Sequence, residues 1–574
     1  MSQIIFRKIQ KNSSLIAVII ITAFITITLA IATFFINFWP TDSFCPYLPT
    51  AAKLFENPFL SQMHDAPETS LNSLNMRGKE TLMLGIACLQ KILDDNQSLY
   101  PNTLLLILAT SLSSILFFFI TKNFWNPRIG LIAFILFISC LWPHLYILQG
   151  SHQPLVFLFF LSTFFFFQNI HKKKIFSFCA GVSLGFMIFS SPTAALYFPY
   201  FLLIFLLPKT EFSSTTLPLK KFLIPSLLLF FCGGLLILLL FTLPTPIVST
   251  KKFISFLAHS QHRNHFTLYY DHLVPLFPDN FKETITQTLT FRGEGWLWIT
   301  KYSLLIMPIL FISYCLSIVY LFTISFKKRS SRLIFIIAIS ASTPLLVETA
   351  QVAQFGRNYF SWLFGIIMLI VFTIDYFQKN TYTFLSHKNK KIIKISGILL
   401  ITGHLVFNLF LFFSDIFPTR MGTTRIASWL KENNIHKLLV YQNHPRNTFT
   451  VDVLNNPKNQ HRVTFRGITN IAQPISGYIL VPPVSGKTIW NDCASEDFQD
   501  DPYLRMLLDK DKLKNVAVAS FKTIASSKIW LQEEEVCTYR DLVLDQIQLK
   551  DEHLFTTYIL DAQLVQQQLK TLSH

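Results

Sequence analysis

Residues 102–121 read NTLLLILATSLSSILFFFIT, and residues 129–148 read IGLIAFILFISCLWPHLYIL. Each stretch is long enough to cross a membrane as a helix, because a span needs about 20 predominantly apolar residues to keep its backbone polar groups paired in hydrocarbon. The short segment between them carries Lys122 and Arg128 and no acidic residue. The two stretches therefore predict a pair of membrane-spanning helices joined by a basic loop.

The composition of the whole chain points to the same class of protein. Of its 574 residues, 51% are apolar and only 14% are charged, whereas a soluble protein carries about 25% charged residues. A soluble enzyme and a disordered chain are thereby excluded, and eight cysteines are too few for a disulfide-dense scaffold. Apolar runs predict eleven spans, at 14–38, 102–121, 129–148, 154–169, 175–191, 193–208, 222–246, 300–326, 333–348, 358–378 and 393–414.

The charges in the loops predict how these spans are oriented. With a cytoplasmic N-terminus, the inner loops hold twenty Lys and Arg residues and a single acid, Glu211, while the short outer loops hold only Arg357. Basic residues concentrate in the cytoplasmic loops of membrane proteins. We therefore expect a multi-pass protein, in a bacterial inner membrane, whose outer loops 39–101 and 247–299 and whose C-terminal segment face the periplasm.

The segment 416–574 is predicted to be a small extracytoplasmic α/β domain, separate from the membrane domain 1–415. Short strand-like runs at 437–441, 462–465, 477–481 and 515–521 alternate with helical stretches at 423–433 and 502–512. The segment holds nearly equal numbers of basic and acidic residues, so the net charge of +17 belongs to the membrane loops, and nucleic acid is not an expected partner. Its two cysteines, Cys493 and Cys537, would either pair or remain free thiols.

Ionisable residues inside the predicted spans are few. Such residues usually mark function, because burying a charge in lipid is costly. The set is limited to His144, Glu348, Asp375 and His404. A proton- or ion-coupled transporter normally carries more of them, together with two related halves. The sequence therefore disfavours a transporter.

The polar residues with chemical potential gather instead on the predicted outer face. Asp42 stands four residues beyond the first span. A carboxylate there could act as a general base, or it could be a solvated turn or cap residue. Arg263, Arg292 and Arg357 could each hold a phosphate group bidentately, or could each anchor an interface.

Two further sequence patterns lie on the predicted outer face. His259, His262 and His265 repeat every three residues, a spacing that suits either a transition-metal site or a polar surface helix. Residues 78–95 place apolar side chains at helical spacing and predict an amphipathic helix at the membrane surface. Inside the membrane, Gly181 and Gly185 form a G-x-x-x-G pattern, which predicts close packing of two helices.

The layout resembles the GT-C class of membrane glycosyltransferases, particularly the family of protein O-mannosyltransferases and bacterial aminoarabinose-lipid A transferases. Four features carry the likeness: Asp42 and Tyr47 followed by TAAKLF at 50–55, GVSLGFMIFSSPTAALYFPYFLLIF at 181–205, QFGRNYFSWLFGIIML at 354–369, and TTRIASWLKENN at 423–434. The likeness covers the whole membrane part in layout. The motifs themselves are loose.

The resemblance implies an inverting transfer of a sugar from a polyprenyl-phosphate donor to a lipid, glycan or protein acceptor on the outer face. Asp42 would deprotonate the acceptor, and the three arginines would hold the phosphate as it leaves. No cofactor is required, and a divalent metal ion is optional. The family usually places a second acid before the fourth span, where this chain has His152 and Gln153. His152 could therefore be a neutral hydrogen-bond donor or a second base.

Two rival functions remain open at this stage. A catalytically inactive relative of these enzymes could serve as a scaffold in envelope assembly, which the missing second acid favours. A translocase for lipid-linked glycans is the other rival, and the scarcity of buried charge speaks against it.

Overall fold

The computed structural model describes residues 2–35, 80–94, 100–149, 152–170, 172–191, 219–242, 303–304, 307–325, 362–380, 386–416, 423–441, 463–468, 476–481, 506, 510–522 and 556–572. Before residue 412 these ranges form the helices α1 (Ser2–Phe35), α2 (Glu80–Leu93), α3 (Tyr100–Phe124), α4 (Pro127–Ile138), α5 (Leu141–Gln149), α6 (Gln153–Asn169), α7 (Ile175–Ile188), α8 (Leu219–Thr242), α9 (Pro308–Ser325), α10 (Trp362–Asn380) and α11 (His387–Leu411). A π-helical turn, Phe412–Ile416, follows α11.

Several of these helices are suited to a membrane. Within the described residues, four are long and apolar enough to cross it: Ser13–Thr33 of α1, all of α3, Trp362–Lys379 of α10, and His387–Ser414. The bent pair α4 and α5 makes a fifth candidate if its two helices form one span. Shorter apolar helices lie at Thr81–Leu93, Gln153–Asn169, Ile175–Ile188, Pro225–Ile237 and Pro308–Leu321. The chain is therefore a multi-pass helical membrane protein.

The predicted spans coincide with helices wherever the structure describes them, but those at 154–169, 175–191, 222–246 and 300–326 correspond to apolar helices of only 10–17 residues, and one further stretch differs in shape. The stretch 129–148 was expected to be one span, but it forms two helices that meet at 49°. The spans predicted at 193–208 and 333–348 lie outside the described residues. The total of eleven spans therefore stays a prediction.

Helix α3 lies in the middle of the bundle and packs against α1, α2, α4, α5 and α6. Phenyl rings fill the adjoining core: Phe117 of α3 stacks on Phe137 of α4 and meets the edge of Phe364 in α10, both at 5.4 Å between ring centroids. Rings of Phe160 and Phe164 from α6 also lie against Phe364, at 5.3 and 5.1 Å. Aromatic pairs favour offset and edge-on contacts of this kind. Helices α3, α6 and α10 are thus joined around the buried ring of Phe364, and α4 is joined to them through Phe137 and Phe117.

The helix predicted at 78–95 is present as α2, and one of its faces is buried. Leu82 and Ile86 are fully buried, and they share an apolar cluster with Leu106 and Ile107 of α3 and with Leu155 of α6. The opposite side is open, since Ile92 is 76% exposed. At its first turn, Thr81 donates from its backbone N–H and its hydroxyl to backbone carbonyls at the end of α7. Helix α2 therefore packs onto the bundle through its apolar face.

Beyond residue 422 the described residues form a five-stranded sheet. The elements are α12 (Thr423–Glu432), β1 (Lys437–Tyr441), β2 (Thr464–Ile468), β3 (Tyr478–Val481), α13 (Lys510–Val516), β4 (Ala517–Lys522), β5 (Thr556–Asp561) and α14 (Ala562–Leu572). The strand order is β2-β1-β3-β5-β4, in which β1 is parallel to both neighbours and β5 is antiparallel to both of its own.

Helices cover both faces of this sheet. Ile559 of β5 packs with Ile426 and Leu430 of α12, while its neighbours Tyr558 and Leu560 face a second cluster that includes residues of α13 and α14. Alternation of side chains along a strand produces this division. The sequence predicted β1, β3 and β4, placed β2 two residues too early, and missed β5 and α14. The domain boundary at residue 415 and an extracytoplasmic location for this segment stay predictions.

Candidate functional site

Most of the predicted site residues lie outside the described residues. These are Asp42, Arg263, Arg292 and Arg357, together with the histidine-rich stretch at 259–265, Glu348, Cys493 and Cys537. His152 is the predicted site residue that the structure does describe. The described part of the candidate site therefore consists of His152 and the elements that hold it.

His152 occupies the residue immediately before α6. Its backbone carbonyl accepts hydrogen bonds from the N–H groups of Leu155 and Val156, at 3.0 and 3.2 Å, and Pro154 stands in the first turn. Proline fits this place, because the first helical N–H groups have no partner within the helix. The imidazole makes no capping hydrogen bond, and its Nε2 lies 3.4 Å from Nε2 of Gln153. Only 7% of His152 is exposed, so the ring faces the protein interior.

Other buried polar side chains lie on the helices that share an apolar cluster with α6. Gln90 follows the buried face of α2 by one turn, and Asn102 precedes Leu106 of α3 by one turn; they are 3% and 1% exposed. Gln153 is 7% exposed. Gln153 is the first residue of α6, and Gln90 and Asn102 lie on α2 and α3, which share one apolar cluster with α6. The arrangement offers neutral hydrogen-bonding groups, which suit hydroxyl groups better than charged ones.

The segment that leads to His152 starts at a break in the predicted third span. Pro143 stands in the first turn of α5; it has no N–H to donate, and its ring would collide with the carbonyl of Ser139 in a continuous helix. The break falls one turn earlier, between α4 and α5. There the N–H of Cys140 bonds to the carbonyl of Phe137 at 3.1 Å, three residues back rather than four. A break inside hydrocarbon leaves further backbone groups that need partners.

Side chains supply those partners. The N–H of Leu141 donates to Oδ1 of Asn408 in α11, at 3.1 Å, and Nε2 of His144 bonds to the carbonyl of Ile138, at 2.7 Å. Nδ2 of Asn408 donates to Nδ1 of His404, at 3.0 Å, and the His404 ring lies beside the carbonyl of Leu136. Because Asn408 uses its oxygen on Leu141, its nitrogen is the donor, and neutral His404 carries its proton on Nε2. We call Asn408, His404 and His144 the Asn408 clasp.

The three intramembrane ionisable residues that the structure describes, His144, Asp375 and His404, have structural partners. His144 and His404 bond to backbone and amide groups at the break. Asp375, near the end of α10, forms an ion pair with Lys379, with 2.7 Å between Oδ2 and Nζ. Neither arrangement resembles a proton relay, in which titratable groups follow one another along a path. Within the described ranges, no three His, Cys, Asp or Glu side chains are grouped so that they could hold a metal ion.

The fold places the chain in a known structural class. Crystal structures of the oligosaccharyltransferase from the archaeon Archaeoglobus fulgidus are similar to it over most of its length. The form tethered to an acceptor peptide gives a TM-score of 0.52 at 12% identity, covering 90% of this chain and 73% of that one. The apo form gives 0.54 at 11% identity, covering 88% and 73%. The chain thus has a membrane fold of the GT-C type, and this similarity concerns the fold alone.

Comparison at the level of sequence adds nothing to this. No protein-family model matches the chain, and no curated protein sequence matches it. The expected GT-C architecture is confirmed in its general form, whereas membership of the O-mannosyltransferase and aminoarabinose-transferase family stays a prediction.

Proposed function

We propose that the chain is a glycosyltransferase that moves a sugar from a polyprenyl-phosphate-linked donor to a lipid, glycan or protein acceptor at the outer face of the membrane. The observation that supports this most directly is the GT-C-type fold, which extends over about nine-tenths of the chain. The outer-face location follows from the distribution of loop charges.

The proposed reaction is a single displacement at the anomeric carbon. The acceptor oxygen forms a new bond to that carbon while the bond to the phosphate oxygen breaks, so the configuration is inverted. The acceptor proton goes to the carboxylate of Asp42, and the electron pair of the broken bond leaves with polyprenyl phosphate. Arg357, Arg292 and Arg263 hold the phosphate as its charge increases, which is the type of electrostatic stabilisation that contributes most in a site shielded from water.

His152 is assigned a different role from that of a second acid. Its ring is buried, and its Nε2 lies 3.4 Å from the side-chain amide nitrogen of Gln153, a neutral group. A neutral imidazole both donates and accepts a hydrogen bond. We assign it to orienting a hydroxyl group of the sugar or the acceptor. A divalent metal ion is not needed for any of these steps.

One observation favours a second function, an inactive scaffold. Where the family carries a basic residue before the proline that follows α7, this chain has Ser190 and Ser191, which are 0% and 4% exposed. The hydroxyl of Ser190 donates to the carbonyl of Phe186 in its own helix. It therefore does not replace a phosphate-binding cation. With His152 in place of an acid as well, the chain lacks two charged groups of the family.

Mass spectrometry of envelope glycolipids and glycoproteins distinguishes these functions. A deletion strain would be complemented with the wild type, with Asp42→Asn, or with Asp94→Asn as a control that removes an exposed acid at the end of α2. A transferase predicts that a defined sugar mass is lost on deletion, returns with the wild type and with Asp94→Asn, and stays absent with normally expressed Asp42→Asn. Full restoration by Asp42→Asn would exclude Asp42 as the base. An unchanged set of masses in the deletion strain would favour the scaffold.

A further inference from the structure

Helix α11 is attached to the bundle in an unusual way. Most of its surface is open, since only 11% of its most apolar 18-residue window is buried inside the protein. Its two buried side chains are His404 and Asn408, which are 1% and 4% exposed, and both are polar. Neighbouring apolar side chains such as Leu405 and Leu409 point outward. The fully buried part of the contact between α11 and the bundle therefore consists of His404 and Asn408, beside partly buried apolar contacts of Ile401 and Leu411 with the core.

The clasp meets the bundle at the point where the broken span changes direction. Asn408 satisfies the first N–H of α5, and His404 lies beside the last turn of α4. One side chain pair of α11 thus touches both arms of the 49° bend. Because each arm uses a backbone group in the contact, a change of the bend angle would break a hydrogen bond in hydrocarbon, where water cannot replace it.

The direction of α5 determines where the outer-face site lies. Helix α5 has nine residues, Leu141–Gln149, and His152 follows almost directly as the residue before α6. A nine-residue helix extends about 13 Å, so a rotation of α5 by about 10° at the break would displace its far end by about 2 Å. A shift of 1 Å is sufficient to disturb a catalytic arrangement.

We propose that Asn408 is a positioning residue: from α11 it fixes the bend between α4 and α5 and thereby sets the place of His152 and of the adjoining Gln153. This inference rests on the proposed function for its catalytic consequence, but not for its structural one. The ligand groups concerned are the hydroxyl groups that His152 would orient. Asn408 itself, in the membrane-embedded part of α11, touches no substrate.

The full-length protein in native membranes would be tested with three substitutions. Asn408→Leu keeps the approximate volume and removes every side-chain hydrogen bond that residue 408 makes to Leu141 and to the ring and carbonyl of His404. Asn408→Asp keeps an oxygen that can accept from the Leu141 N–H and, as a neutral acid, a hydroxyl that can donate to His404. Asn389→Leu makes the same chemical change at an exposed residue of the same helix and serves as the control. If Asn408→Leu does not accumulate, Asn408→Ser replaces it, because a serine hydroxyl turns to its own helix carbonyl and cannot reach Leu141.

Two alkylation readouts report on the geometry without any substrate. Cys140 lies at the break and is fully buried; its reaction with N-ethylmaleimide, read by peptide mass spectrometry, measures opening of the break. The second readout uses His152→Cys as a probe and measures its reaction with a membrane-impermeant maleimide. We expect Asn408→Leu to raise both rates about tenfold, the effect of a local opening that becomes easier. Asn408→Asp and Asn389→Leu should leave both near the wild-type rates.

Each result of the labelling experiments either supports or contradicts the positioning role of Asn408. Unchanged labelling of Cys140 in Asn408→Leu would overturn the proposal, because the break would then hold without the clasp. A change at Cys140 without a change at position 152 would also overturn it, because the bend would not govern the site. Both labelling rates could respond as expected while the deletion strain shows every sugar mass of the wild type. In that case the positioning role of Asn408 stands and the proposed transferase activity is contradicted. If a sugar mass is found, Asn408→Leu should lower it and Asn408→Asp should restore it.

Discussion

Gly181 of α7 lies against the backbone carbonyl of Phe230 in α8 so closely that a Cβ atom on Gly181 would come within 1.9 Å of that oxygen. The contact is reciprocal, since a Cβ on Gly233 of α8 would lie 2.2 Å from the carbonyl oxygen of Phe178 in α7. Such distances are far below any real van der Waals contact. The two helices therefore meet backbone to backbone, an approach that small residues permit in membranes.

Replacing Gly181 by alanine should separate α7 from α8. Overpacking a core costs about 1–3 kcal/mol and occasionally more, and a clash with a backbone oxygen leaves no flexible side chain to move. We expect Gly181→Ala to lower the melting temperature of the detergent-purified protein by several degrees, as measured by loss of the monodisperse size-exclusion peak after heating. Gly397→Ala is the control, because a Cβ there meets nothing within 4 Å. Equal melting temperatures for the two variants would contradict the close contact.

The ring of Phe364 should be among the most costly to remove from the membrane part. It is 1% exposed and contacts rings from α3 and α6. Truncation of a buried phenylalanine to alanine costs about 3–5 kcal/mol, through lost contacts and a residual cavity. Phe24→Ala is the matched control, because Phe24 of α1 is 69% exposed. We expect reduced accumulation and earlier thermal loss for Phe364→Ala alone, measured as above, and a similar effect of Phe24→Ala would show that the ring cluster is not the cause.

The hydrogen bond between Thr26 of α1 and Ser111 of α3 should contribute little to the stability of the protein. The Thr26 hydroxyl donates to the carbonyl of Thr22, so the Ser111 hydroxyl is the donor in the 2.6 Å contact between Thr26 Oγ1 and Ser111 Oγ. Hydrogen bonds between membrane helices are worth about 0.6 kcal/mol on average. A double-mutant cycle with Thr26→Val and Ser111→Ala should give a coupling energy near this value. A coupling energy well above about 2 kcal/mol would mean that the pair holds α1 in place, against this expectation.

The sheet near the C-terminus should depend on β5, which lies between β3 and β4. Leu560 of β5 is fully buried, whereas Leu564 of α14 is 41% exposed. Truncating a buried leucine costs about 2–5 kcal/mol, so Leu560→Ala should speed limited proteolysis of the segment beyond residue 422 in the full-length protein. Leu564→Ala should leave the digestion pattern close to that of the wild type. Equal protease resistance of both variants would argue against the central place of β5.

The sequence predicted correctly those helices and strands that are determined by their own local residues. An apolar run such as 102–121 is sufficient to specify α3, because hydrocarbon permits few alternatives to a helix. The strand β5 was missed because a short apolar run such as TYIL fits a strand or a buried helix equally well. Its pairing with β3 and β4 decides the matter, and neither partner can be recognised from the run itself.

The site was predicted less completely, for a related reason. His152 drew attention because it stands where the resembled family usually places a second acid. Gln90 and Asn102 carry neutral amides on helices and give no such signal, and they become noticeable only because the structure buries them. The break at residues 139–140 could have been suspected from Pro143. Its partner Asn408 could not, because nothing in either segment indicates the other.

The bond between Leu141 and Asn408 joins residues 267 positions apart, and this has a consequence for biosynthesis. A ribosome adds about 5–20 residues per second, so roughly 15–50 s pass between synthesis of the break and synthesis of the asparagine that completes it. During that interval the nascent third span sits in the insertion machinery or the bilayer with an N–H group that awaits its native acceptor. Helix α11 is thus synthesised late, and it supplies the hydrogen-bond acceptor that the break before α5, synthesised early, requires. A chain that terminated before α11 would leave the N–H of Leu141 without this acceptor.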